Sequence, residues 1–153
     1  MTEETIQRSH QFFSADCFNR VWGLLDKKDR SDEDDRLMRE TAHASLFHWL
    51  NREDVQPTNV SVGLWQLSRV YAVLDRPAES RRYAEECVSV SEEAKLPPFY
   101  LGYGYEAAAR AARVAGDSAE QERYRKEALA ALENVSDPEE KALLEADLKD
   151  LEA

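Results

Sequence analysis

Between Leu67 and Val90 apolar side chains return twice at helical spacing, on either side of Asp75-Arg76-Pro77. Leu67, Val70, Tyr71 and Leu74 recur along the first stretch, and Tyr83, Ala84, Cys87 and Val90 along the second. A period of three to four residues broken by a turn specifies a helix, a tight turn and another helix. The flanking sequence divides in the same way. Ile6 to Leu25 carries a wide apolar stripe and predicts a first helix over 4–26, with Ser14-Ala15-Asp16 as a place where it restarts on a new cap. Asp32 to Asp35 place carboxylates where a helix start favours them, and the second helix runs from there to about Arg52.

Pro57 falls in a loop over 51–59, after which Asn59 or Ser61 caps a third helix. Pro77 suits the first turn of a fourth, which reaches about Ala94. Leu96-Pro97-Pro98 is the sharpest break in the chain; a fifth helix follows from Phe99 to about Ala115 and closes on Gly116-Asp117, and a sixth runs to about Leu132. Ser136 and Glu139 form a capping box around Pro138, opening a seventh helix over 138–151 with Leu143, Leu144, Leu148 and Leu151 on one side. No stretch alternates Val, Ile and Thr as a strand does. The expected fold class is all-α: one domain over 1–153, with hairpins at about 4–52, 60–94 and 99–133 and a C-terminal capping helix.

At 153 residues the chain is large enough to bury a core without metal or disulfide. Its net charge of −11 argues against nucleic acid and against anionic membranes, both of which need a basic face. Met1-Thr2-Glu3-Glu4 is no basic, apolar leader, and no run approaches the roughly 20 apolar residues that cross a bilayer. Cys17 and Cys87 stand far apart inside helical patterns, which is neither a metal nor a redox motif. A cytoplasmic protein with two buried thiols and no cofactor is the expectation.

The middle hairpin resembles a tetratricopeptide repeat. Leu67-Ser68 stands at that family's Leu-Gly pair, Tyr71 at its Tyr, Asp75 at its turn glycine, and Ser80, Ala84 and Cys87 at the small positions of its second helix. Ala108, Ala109, Ala112, Gly116 and Ala128 repeat the pattern in the third hairpin, where Gln121 and Arg125 depart from it. Trp65 to Tyr71 and Pro98 to Tyr103 are also similar to uncharacterised bacterial proteins of this type. The resemblance implies a short right-handed superhelix whose first helices line a concave side, and a role as a scaffold that binds a protein or peptide rather than as an enzyme.

Aligning Asp26, Asp75 and Gly116 as equivalent turn residues puts Arg20, Arg69 and Arg110 at one repeat position. Four residues earlier stand Asp16, Trp65 and Glu106; three before those, Phe13, Val62 and Tyr103. The predicted site is therefore an arginine ladder (Arg20, Arg69, Arg110) beside Trp65, Tyr103 and Glu106, suited to an acidic or aromatic-bearing peptide. Internal pairing of the arginines with Asp16, Glu106 and the acidic helices is the plainer alternative. Gly102 and Gly104 among Phe99, Tyr100, Tyr103 and Tyr105 imply close packing or a ligand approach. His43 and His48, five apart, lack the spacing of a helical zinc pair, and His10 would join them only through tertiary contact. A small-molecule or enzymatic site would instead bring His43, His48 and Glu106 together in the groove. Self-association through the apolar edge of the first hairpin, giving a homodimer, is the third expectation.

Overall fold

The computed structural model describes residues 1–152 as an all-α protein. Its seven helices are α1 (Glu3–Leu25), α2 (Asp32–Leu50), α3 (Pro57–Val73), α4 (Pro77–Glu93), α5 (Pro98–Ala115), α6 (Ser118–Glu133) and α7 (Pro138–Lys149). Successive helices pair as α1–α2, α3–α4 and α5–α6, and the hairpins stack through their first helices: α3 packs against α1 and α5, while α2 packs on α3 and α4 on α5. One side of the stack is consequently walled by α1, α3 and α5. The last helix packs on α5 and α6, burying Leu144, Leu148 and Leu151 against Ala109, Ala128 and Leu132. Among the described residues no helix is long and apolar enough to cross a membrane.

Small side chains hold α3 and α4 together. Ser68 Oγ donates to the Ser80 carbonyl at 2.8 Å and Ser80 Oγ returns a bond to the Ser68 carbonyl at 2.9 Å, so two buried hydroxyls satisfy each other's backbones. Gly102 and Gly104 do comparable work on α5. A Cβ on Gly102 would stand 2.6 Å from Leu144 Cδ2, and one on Gly104 would stand 3.3 Å from the Val88 Cα. Close helix packing, not ligand approach, is why both positions lack a side chain.

Three helices end alike. Asp75, Lys95 and Gly116 take positive φ (56, 53 and 76°), and the following N–H reaches back to Tyr71 O, Ser91 O and Ala112 O at 2.9 Å each. This is the Schellman closure of α3, α4 and α5. The first turn differs: Asp26 remains right-handed, with φ −76°.

Three local expectations need correction. Ser14 does not interrupt α1, because its hydroxyl bonds the Gln11 carbonyl and Arg52 while its own carbonyl accepts from Ser45, tying α1 to α2. Pro57 begins α3 rather than sitting in a loop before it, and Asn59 acts from inside the helix by accepting the Gln56 N–H at 2.9 Å. Asp137, not Ser136, caps α7, its carboxylate accepting from the Glu139 and Glu140 N–H groups.

Candidate functional site

Glu106 is the centre of the walled side. It is completely buried on α5, and no carboxylate survives there ionised without partners. Trp65 Nε1 donates to its Oε2 at 2.9 Å; Arg69 Nη2 and Arg110 Nε reach its Oε1 at 3.2 and 2.8 Å. Helix α7 completes the set. Asp147 accepts from Tyr103 at 2.7 Å and from Arg69 at 3.4 Å, and Asp150 accepts from Arg110 at 2.8 Å. Glu106 and Asp150 hold the Arg110 guanidinium above its ordinary pKa although burial opposes them. Burial, reinforced by the bond to Asp147, pushes the Tyr103 phenol far up, so it stays a neutral donor.

Five of the six predicted site residues thus share one network: Trp65, Arg69, Tyr103, Glu106 and Arg110. The ladder itself is not a ladder. Arg20 is 70 % exposed and, among the described residues, pairs only with Asp16 of its own helix at 2.8 Å. The reason is the first turn. Asp26 lacks the left-handed backbone of Asp75 and Gly116, so the three turns are not equivalent. Phe18 and Trp22, not Asp16 and Arg20, line the cleft with Trp65; two residues turn a helix by about 200°, which puts Arg20 on the far side from Trp22. Arg69 and Arg110 are engaged by carboxylates of this chain, so the plainer alternative describes them.

Beside the network lies a pocket of about 320 Å³, open to one side. It is lined by Phe18 and Trp22 of α1, Ser61, Val62 and Trp65 of α3, Cys87 of α4, Phe99, Tyr100 and Tyr103 of α5, and Leu143 and Asp147 of α7. The six aromatic rings form one continuous arc. Neighbouring centroids along Phe18, Trp22, Trp65, Tyr103, Phe99 and Tyr100 lie 5.1 to 6.3 Å apart, mostly edge to face. Such contacts favour tilted rings over flat stacking, and an arc of them is stiff. At the floor Ser61 bonds Ser91 at 2.8 Å, and burial raises the Cys87 thiol to about 11, which leaves it a poor nucleophile.

The sequence concealed much of this lining. Phe18 and Trp22 read as core stripe, and Asp147 as one acid in an acidic tail. The usable signal was the four-residue spacing of Phe18 and Trp22, which matches Trp65 and Arg69, and Glu106 and Arg110. Leu143 reads as core with Leu144 yet stands 59 % exposed at the rim.

The histidines lie elsewhere. His43 Nε2 bonds the Tyr71 hydroxyl at 2.8 Å, and His48 Nδ1 meets His10 Nδ1 at 2.9 Å. Neither is a partner of Glu106, so the site expected from His43, His48 and Glu106 together is not assembled. Among the described residues no group of three or more His, Cys, Asp or Glu could hold a metal ion. Phe12, Phe13 and Phe47 stand exposed around the His10–His48 pair, joined ring to ring.

The fold and the pocket define a class, an all-α hairpin stack with an aromatic cleft on the side lined by its first helices. Comparison with protein-family models, with curated proteins and with solved structures finds no match to this chain.

Proposed function

We propose that the protein is a non-enzymatic, tetratricopeptide-like binding module that receives an anchoring group of a protein or peptide partner in its aromatic pocket. The observation that carries this reading is the arc of six rings around an open cleft of about 320 Å³. Ligand pockets begin at roughly 300 Å³ and combine apolar walls with few polar groups, so this one has room for one large side chain or head group. Tryptophan and tyrosine supply the largest share of binding energy at interfaces, and here they are held before any partner arrives. The role of Arg69 and Arg110 is then positional: through Glu106 they fix the Trp65 indole, and through Asp147 and Asp150 they hold α7 against the wall.

Leu143 offers a clean test because it is exposed at the rim and its replacement leaves the core untouched. Affinity capture from native extract should recover a partner with the wild type and lose it with Leu143→Lys, at unchanged circular dichroism. Equal recovery by both would contradict the reading.

Self-association has an observation of its own in the exposed patch of Phe12, Phe13 and Phe47 on the outermost hairpin, where stacked-repeat proteins usually present a polar face. Sedimentation of wild type and Phe13→Ser at several concentrations decides it: a concentration-dependent mass that the variant abolishes supports a dimer, and a monomer throughout removes it.

A further inference from the structure

The polar groups that line the pocket are not equivalent in what they still offer a ligand. Trp65 Nε1 donates to Glu106, Tyr103 to Asp147 and Cys87 Sγ to the Ser61 carbonyl, while Ser61 and Ser91 bond each other. These donors are engaged by protein acceptors. Two further donors of the lining, the Trp22 Nε1–H and the Tyr100 hydroxyl, meet no acceptor among the described residues, but neither carries charge, so an anion finds no counter-charge in the cleft. Acceptors are a different matter. Asp147 is the one charged residue of the lining; its carboxylate is a third exposed and has lone pairs beyond the bonds from Arg69 and Tyr103. Aromatic faces are also electron-rich. Among the described residues no lysine or arginine lines the cleft, and the chain as a whole carries −11. Trp65 already accepts the Arg69 guanidinium over its ring at 5.3 Å, although Arg69 itself is outside the lining.

Resting on the reading of this pocket as the binding site, we infer that its occupant is an alkylated ammonium group, a positive charge inside an apolar collar. The two demands of the site select that chemistry. Among apolar walls with Asp147 as the single charged acceptor, a strongly hydrated ammonium would exchange several waters for one carboxylate, and the negative faces and carboxylate discriminate against a neutral hydrocarbon of the same shape. A methylated ammonium satisfies both. The head group has two sources, a free quaternary amine or a methylated lysine on a peptide.

Choline and a short peptide bearing trimethyl-lysine are the probes, each against a neutral counterpart in which carbon replaces nitrogen: 3,3-dimethylbutan-1-ol for choline, and the tert-butyl analogue of the lysine side chain for the peptide. Binding is followed by indole N–H NMR shifts and by tryptophan fluorescence. The inference predicts that at least one cation binds at least about tenfold more tightly than its neutral partner. Binding by choline identifies a free amine as sufficient; binding by the peptide alone assigns the head group to a protein. Leu143→Lys should weaken cation binding and Leu143→Glu strengthen it, and Asp147→Asn should reduce the preference for charge to what the rings alone supply while Asp150→Asn, outside the lining, retains it in full. Neutral probes that bind as well as the cations overturn this inference and leave the pocket reading standing. Probes of neither kind moving the Trp22 or Trp65 indoles would also overturn this inference, and equal partner recovery by wild type and Leu143→Lys would overturn the pocket reading with it.

Discussion

Glu106 is the residue on which the site turns, and it acts on structure before it acts on any ligand. A buried carboxylate between two guanidinium groups contributes little net stability when intact, but removing it leaves buried positive charge without its main partner. Glu106→Gln should lower unfolding stability by about 3 kcal/mol, toward the low end for a broken buried pair because Asp147 and Asp150 still engage the arginines. Urea midpoints measure this. The glycines give a second contrast at the same scale. Gly102→Ala drives a Cβ into the fully buried Leu144 and should cost about 1–3 kcal/mol. Gly23→Ala meets nothing within 4 Å inside α1 and should stabilise by about 0.5–1 kcal/mol. Thermal midpoints should move in opposite directions, by roughly 2–4 °C per kcal/mol in a chain of this size; a shift of the same sign in both would contradict the packing described for Gly102.

Helix boundaries were legible because proline, the Asp32–Asp35 run and Gly116 punctuate the chain with specific terminal chemistry. Register was less so. Asp75 and Lys95 adopt left-handed backbone without being glycine, which a sequence marks poorly, and Asp26 does not adopt it at all. Treating the first turn as equivalent to the others therefore put Arg20 into the predicted site, whereas the α1 residues of the cleft are Phe18 and Trp22. Contacts between helices also set the pH response. His43 on α2 reaches Tyr71 on α3 and lies edge-on to Tyr83 on α4; burial is the main cause that lowers its pKa, with Glu40 opposing and Arg39 assisting. His48 is lowered by burial and by His10. The unfolded chain thus takes up protons at a higher pH than the folded one. Stability should be full above the ordinary histidine value of 6.5 and fall as pH drops through it toward the lowered folded values. Thermal midpoints at pH 7.5 and 5.5 check this, and His43→Gln, which keeps a hydrogen-bonding group beside Tyr71 but cannot titrate, should flatten the dependence.

Across the whole molecule, stacking brings distant side chains to one wall. Phe18, Trp65, Tyr103 and Asp147 come from four helices, and no local pattern connects them. Of the two expectations for the arginines, an acidic ligand and internal pairing, the second describes Arg69 and Arg110, which meet Glu106, Asp147 and Asp150. Acidic α7 is what the arginines hold, and the cleft left beside it is aromatic. That division of labour, with the arginines used for construction and the rings proposed for recognition, is the central claim. The three tryptophans report on it directly, since Trp22 and Trp65 line the cleft and Trp49 does not. Indole N–H resonances should be recorded while the partner recovered by affinity capture is titrated in. The account predicts that the Trp22 and Trp65 signals move and saturate together while Trp49 stays in place; a response at Trp49 with the other two unchanged would contradict it.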